Sequence, residues 1–356
     1  MVFKRIVQRY FIFKHFYVAN IIVTNFTIQV CRVSLLKKLK YMKTLLSLLF
    51  QFYLFQFYSQ PLNSWSDEKI MVKKASEVST IMNAEMIFTE RWDILPQPQF
   101  WKQIMLLSPD SCLINIAATR VVLKKMSNKD WNSQSELEKD SVRQNLRKEF
   151  GLSNSDRIYV TTGKNDFFKF KEVYPSLSKG VAAFEKFGVD PWYAQAILLI
   201  ESPGQLKKSI SGAYGAFQLM PNVARAQGLT VNNTIDERAN FERCAYGSAR
   251  LIQKNCIPEA KNILAPYSLK YNETDLWFRL FVMHVYHAGA GNVAAVIAKI
   301  QPKEASKQII LDMWQNTGGG FGNNSQNYTQ LALAAQLIIH DMIYKECDEI
   351  SDCASR

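Results

Sequence analysis

The sequence predicts a mainly α protein, with a larger helical domain over residues 176–346 and a smaller, mostly helical region over residues 60–175 before it. Three observations carry this. Apolar residues recur at helical spacing through most of the chain after Glu90. The periodic stretches begin at capping residues and end at glycines. One short stretch, Arg157–Thr162 (RIYVTT), has the β-branched composition of a strand.

The elements follow in chain order. Lys37, Lys38, Lys40 and Lys43 precede Thr44–Tyr58, an apolar run without a charge. This is the layout of an export signal, with residues 1–59 as leader and mature protein from Ser59 to Ser64. The run falls short of the ~20 residues of a spanning helix; anchoring the chain to a membrane through this hydrophobic segment is the other reading. Met42 fits a true start, which makes residues 1–41 an upstream extension of the frame. Residues 60–84 read as a linker or arm. Helices are expected over Trp101–Leu107, Leu113–Met126 and Ser135–Phe150.

Beyond Ser176 the pattern sharpens. Asp190-Pro191 is an N-cap followed by Pro at the first helical position, opening Trp192–Ile200. Asp236 is expected to cap a helix running to about Asn255. Leu276–His287 is apolar and stops at Gly289; another helix starts after Asn292, and the last runs from about Tyr328 to Lys345. Gly318–Asn324 reads as a flexible loop, and residues 347–356 as a tail.

Charge and cysteines exclude several functions. The net charge of +12 is concentrated in the leader: residues 1–59 hold nine basic and no acidic residues, leaving +3 for the remainder (34 basic against 31 acidic). With no recognisable binding motif, a nucleic-acid partner is not expected. The six cysteines, Cys31, Cys112, Cys244, Cys256, Cys347 and Cys353, match no zinc spacing. Cys347 and Cys353 can close a small loop. Cys244 and Cys256 lie about 18 Å apart along one helix, so buried free thiols are the reading for most of the set. His284 and His287, at i and i+3, lack a carboxylate partner and read as structural; no metal and no cofactor are expected. Gly289-Ala290-Gly291-Asn292-Val293-Ala294 fits a dinucleotide fingerprint, but it follows a helix-period segment instead of a strand.

The residues suited to chemistry are few. Glu201 ends a helix after Ala196-Ile197-Leu198-Leu199-Ile200. Apolar neighbours and the negative helix terminus both disfavour a charged carboxyl there, raising its pKa toward that of a general acid. Gly212-Ala213-Tyr214-Gly215-Ala216-Phe217-Gln218-Leu219-Met220-Pro221 supplies a glycine-rich turn with a lone Gln. Tyr286-His287-Ala288-Gly289-Ala290-Gly291 sets a tyrosine at the end of an apolar helix, its hydroxyl expected in a groove.

Glu201-Ser202, Ser209, Gly212-Ala213-x-Gly215-x-x-Gln218-x-Met220-Pro221, and Tyr286-x-Ala288-Gly289-x-Gly291 together resemble the soluble lytic transglycosylase family, whose domain shares the goose-type lysozyme-like fold. Asn327-Tyr328 before an apolar helix is similar to that family's third motif, and the resemblance covers residues 180–346. It implies a cell-wall enzyme acting on peptidoglycan glycan strands, exported to a bacterial periplasm or envelope. It also implies Glu201 as the single catalytic carboxylate, acid and then base, with Ser209, Phe217, Gln218, Tyr286, His287 and Tyr328 lining the sugar groove. The expected reaction is cleavage of the MurNAc-β-1,4-GlcNAc bond with a 1,6-anhydro product. A hydrolytic muramidase and a non-catalytic glycan-binding envelope protein are the alternatives. The chain departs from the family's commonest pattern in a shorter Glu201–Ser209 segment, in Phe217 where Met is usual, and in His287 where Asn is usual.

Overall fold

The computed structural model describes residues 65–201 and 208–352, all within one compact unit. The expected leader, Cys31, Ser202 and Cys353 lie outside the described residues. Among those described, no helix is long and apolar enough to cross a membrane.

The protein is mainly helical, with two small antiparallel sheets. Strands β1 (Lys69–Lys74) and β2 (Glu77–Met82) form a hairpin in which Ile70 faces Ile81. Strand β6 (Glu349–Asp352) pairs with the other edge of β1, setting Val72 opposite Ile350. Helices α1 (Glu85–Thr89) and α2 (Pro96–Leu106) follow. The second sheet has the order β4-β3-β5, from β3 (Ser111–Ile116), β4 (Val122–Ser127) and β5 (Ile158–Thr162). Between β4 and β5 lie α3 (Asn128–Asn132) and α4 (Glu136–Glu149), the latter opened by a capping box of Ser135 and Glu138.

The helix expected over Leu113–Met126 is therefore a β-hairpin. Cys112, Leu113, Ile114 and Asn115 are buried on both faces of a central strand. A short apolar run of that kind carries no period that separates strand from helix. Its turn ends at Arg120, whose φ of 62° a continuing helix forbids. Arg157–Thr162 does contain a strand, β5. The region before residue 176 is thus a mixture of helices and strands.

The larger helical part is built on α5 (Phe170–Lys186), α6 (Pro191–Glu201), α10 (Leu276–Ala288) and α13 (Asn323–Glu346). Between α6 and α10 lie α7 (Pro221–Ala226), α8 (Phe241–Leu251), a π-helical turn (Ile252–Cys256) and α9 (Ile257–Leu264); α11 (Ala290–Ile300) and α12 (Gln308–Gln315) precede α13. Every residue of α6 from Pro191 to Ile200 is buried, as is every residue of α10 from Leu276 to Val285. Helices that are mostly apolar and buried on every side form the centre of a core. Asp190 caps α6, accepting from the Trp192 N–H at 2.9 Å, and its other oxygen accepts from Arg279 of α10 at 2.7 Å. Arg279, fully buried, also binds Glu68 in a fork of 2.6 and 2.9 Å. One hydrophobic core runs from Ile70 to Ile343; a small second one, around Cys112, Ile114, Trp131, Leu146 and Ile158, underlies the second sheet.

Several boundaries differ from expectation. Asp236 caps a single 3-10 turn (Glu237–Ala239), and Asn240 caps the helix that follows. Helix α11 begins at Ala290, immediately after Gly289 with its φ of 81°, and α13 begins at Asn323. The Gly318–Phe321 segment is an ordered turn: its ends exchange backbone hydrogen bonds of 3.2 and 2.8 Å, and Phe321 is buried. Cys112, Cys244 and Cys256 are buried free thiols.

Candidate active site

Glu201 stands at the end of α6, where the buried helix meets a groove. Burial outweighs all else at its carboxyl and raises the pKa to about 7; a hydrogen bond from Tyr328 pulls the other way. The Tyr328 hydroxyl donates to Glu201 Oε1 at 2.7 Å across 127 residues of sequence. Tyr328 is itself buried, and desolvation holds its own pKa well above the ordinary value, so it remains a donor. His287 stacks on Tyr328 at 4.2 Å with 26° between rings. It keeps an exposed edge, yet desolvation lowers its pKa. A neutral imidazole adds no cation that would ionise Glu201.

The glycine-rich turn is a miniature hairpin. Tyr214 and Leu219 exchange two backbone hydrogen bonds of 3.1 Å, and Gly215 sits at the turn with φ of 86°. A Cβ there would lie 2.1 Å from the Arg238 carbonyl oxygen, so glycine is required on two counts. Arg238, buried and paired with Asp236 at 2.7 Å, donates to the Gly212 and Leu219 carbonyls at 2.9 and 2.8 Å. The Ser209 hydroxyl accepts from the Ala213 N–H at 2.9 Å, and Gln218 Nε2 donates to the Gly215 carbonyl at 3.0 Å.

Two of the expected groove residues need correction. Phe217 is fully buried and stacks on Phe184 at 5.4 Å; an aromatic side chain beside a polar groove residue turned into the core. The Tyr286 ring borders the groove, but its hydroxyl donates to the Phe217 carbonyl at 2.7 Å and contacts Ser248 Oγ at 3.2 Å. It ties α10 and α8 to the hairpin. His284 is buried against Thr329, 3.0 Å from its Oγ1, with its pKa lowered to about 3 by desolvation.

Glu201 and His287 lie on the divide between two cavities. One, of about 450 Å³, is lined by Ser209, Gln218, Met220 and Tyr286, with Glu259 on its rim. The other, of about 370 Å³, is lined by Tyr328, Asn327, Asn324, Trp101, Lys164 and Phe167. Both fall in the size range of roughly 300–1,000 Å³ typical of ligand sites. Glu201, Ser209, Gln218, Tyr286, His287 and Tyr328 are thus brought together, and Phe217 is not.

Residues 181–309 match the sequence profile of the transglycosylase SLT domain. Over that stretch, about a third of the chain, the protein is similar to the transglycosylase SLT domain. A comparison with curated proteins returns no match. The SLT family is one of peptidoglycan-cleaving, glycan-cutting enzymes with a lysozyme-like helical fold, which agrees with a cell-envelope place of action. The SLT match begins within α5 and ends within α12, so Tyr328 lies beyond it and Trp101, Lys164 and Phe167 lie before it. Sequence reasoning missed these last three, along with Arg238 and Glu259. The Asp236-x-Arg238 spacing was a visible signal for the buried ion pair; the others are defined only by tertiary contacts.

Proposed function

We propose that this protein is a peptidoglycan lytic transglycosylase cleaving the MurNAc-β-1,4-GlcNAc bond, with Glu201 as acid and then base. The observation that carries this reading is one carboxyl, held near pKa 7 by burial, at the divide of a two-lobed groove. With the Tyr328 hydroxyl on Oε1, the acid proton resides on Oε2. Glu201 gives that proton to the glycosidic oxygen, and the bond to the anomeric carbon breaks. The resulting carboxylate, stabilised by Tyr328, takes the proton of the muramic acid 6-hydroxyl. The 6-oxygen closes on the anomeric carbon, forming the 1,6-anhydro ring without water and returning Glu201 to its acid form. Ser209 and Gln218 orient the sugar in one lobe. Tyr286 acts through the backbone it holds, and His287 acts by covering Tyr328.

Export to the periplasm or envelope follows from the substrate, and the basic and apolar run before Ser59 supplies the signal. The test is mass analysis of sugars released from purified murein. Products one water lighter than hydrolysis fragments support the proposal; hydrated products mean a muramidase, and no release means a binding protein. Among the described residues, Glu259 is the other carboxylate lining the groove. A two-acid hydrolase needs it, whereas in this mechanism Glu259→Gln keeps the rate.

A further inference from the structure

Only one of the two lobes beside Glu201 is built chiefly by the SLT match. The 370 Å³ lobe has Asn324, Asn327 and Tyr328 of α13 on one wall and Trp101, Lys164 and Phe167 on the other. The second wall is preformed. Lys164 and Asn165 donate backbone N–H bonds to the Ile104 and Leu107 carbonyls at 2.8 and 3.1 Å. Gly163 is pressed against the end of α2, where a Cβ would lie 2.2 Å from the Ser108 carbonyl oxygen. On this firm base Phe167 keeps 45% of its surface exposed, its ring edge-on to that of Phe168 (4.9 Å, 85°). Lys164 is exposed, and its ammonium enters no ion pair among the described residues.

The opposite wall is oriented by an arginine from the β3–β4 turn. Arg120, 5% exposed, donates to Asn323 Oδ1 at 2.9 Å and to Asn327 Oδ1 at 2.8 Å, beneath the rings of Phe100, Trp101 and Tyr159. A guanidinium has donors and no acceptor. The amide of Asn327 therefore has one permitted orientation: carbonyl oxygen toward Arg120, NH2 toward the lobe that the residue lines. Asn327 is 7% exposed, and among the described residues its NH2 has no acceptor.

We propose that the segment before the SLT domain builds a subsite for a sugar carrying both an acyl carbonyl and a carboxylate, as a muramyl unit does through its N-acetyl group and its lactyl or stem-peptide acid. Asn327 donates to the acyl carbonyl, Lys164 pairs with the carboxylate, and Phe167 presents a flat apolar face to the ring. Arg120 is a positioning residue acting through Asn327. A neutral glucosamine polymer satisfies Asn327 and Phe167 but leaves Lys164 without a partner, so the site prefers muramyl sugars. This subsite rests on the glycan-cleaving reading above and deepens it.

The experiment is calorimetric binding to the full chain carrying Glu201→Gln, using a stem-bearing muramyl tetrasaccharide and chitotetraose side by side. Lys164→Ala is expected to weaken the muramyl ligand on the order of fivefold, as an exposed ion pair does, and to leave chitotetraose unchanged. Phe167→Ala is expected to weaken both about tenfold. Asn327→Asp keeps and strengthens the Arg120 contact while removing the donor, so affinity for both falls with no drop in the thermal midpoint. Equal affinities before and after Lys164→Ala, or an equal loss for both ligands, overturns the proposal. Parent protein that shows the Lys164 signature but releases nothing from murein refutes the catalytic reading alone. An active enzyme indifferent to Lys164 refutes the subsite alone.

Discussion

At the scale of single residues, the proposed chemistry depends on keeping one carboxyl neutral in a site that water can reach. Glu201 has a folded-state pKa of about 7 against an ordinary 4.5. Because that value is raised, the folded state holds the proton more tightly. Stability is complete below pH 4.5 and declines as pH rises through 7, where the buried group must ionise. Glu201→Gln removes this cost. The variant is expected to be inactive on murein and more stable than the parent by up to about 3 kcal/mol at pH 8, with little difference at pH 4. Urea melts at the two pH values check this, and equal gains at both would contradict the linkage. Tyr328→Phe removes the bond that lowers the Glu201 pKa. The alkaline limb of kcat/KM should then move to higher pH, while kcat falls roughly 10- to 100-fold because the carboxylate loses its donor. Glu201 and Tyr328 were legible because each lies in a motif with apolar flanks. Phe217 was misplaced because its motif fixes chain position, and side-chain direction depends on Phe184, which no local pattern reveals.

At the scale of elements, the groove is held by few devices, each replaceable by one substitution. Arg238 gathers the Gly212–Leu219 hairpin through two carbonyls while paired to Asp236. Arg238→Met strands a partly buried carboxylate and two carbonyls, and a loss of about 3–5 kcal/mol in chemical denaturation is expected. Because the hairpin carries Gln218, KM should rise more than kcat falls. The helices α6 and α10 were readable from sequence, since long apolar runs between an N-cap and a glycine leave no other assignment. The β3–β4 hairpin was not readable. Its six-residue strands are shorter than two helical turns, and its pairing partners sit in β5, more than 30 residues away in sequence. Helix starts were misjudged by a few residues at α11 and α13, where glycines before the helix do the work that a polar cap was expected to do.

At the scale of the whole molecule, the parts before and within the SLT match share one core. Arg279 joins Glu68, ahead of β1, to Asp190 at the head of the helix that ends in Glu201. The expected outcome is a single cooperative melting transition, with tryptophan fluorescence and far-ultraviolet dichroism coincident. Arg279→Leu should lower that midpoint with both probes moving together; two separated transitions would instead mean independently stable halves. Neither the shared core nor the second wall of the groove was visible in sequence, because both depend on contacts between residues hundreds of positions apart, such as Arg120 with Asn327.

The pairing of Glu201 with Tyr328 across 127 residues has a consequence for biosynthesis. A ribosome delivers the acid long before it delivers the hydroxyl that supports its charged form. Strand β6, which completes the first sheet, emerges later still. The nascent chain thus carries Glu201 without its supporting hydroxyl while 127 further residues are made. On the proposed mechanism the couple is complete only once α13 docks against α6, so full activity is expected only in the finished chain.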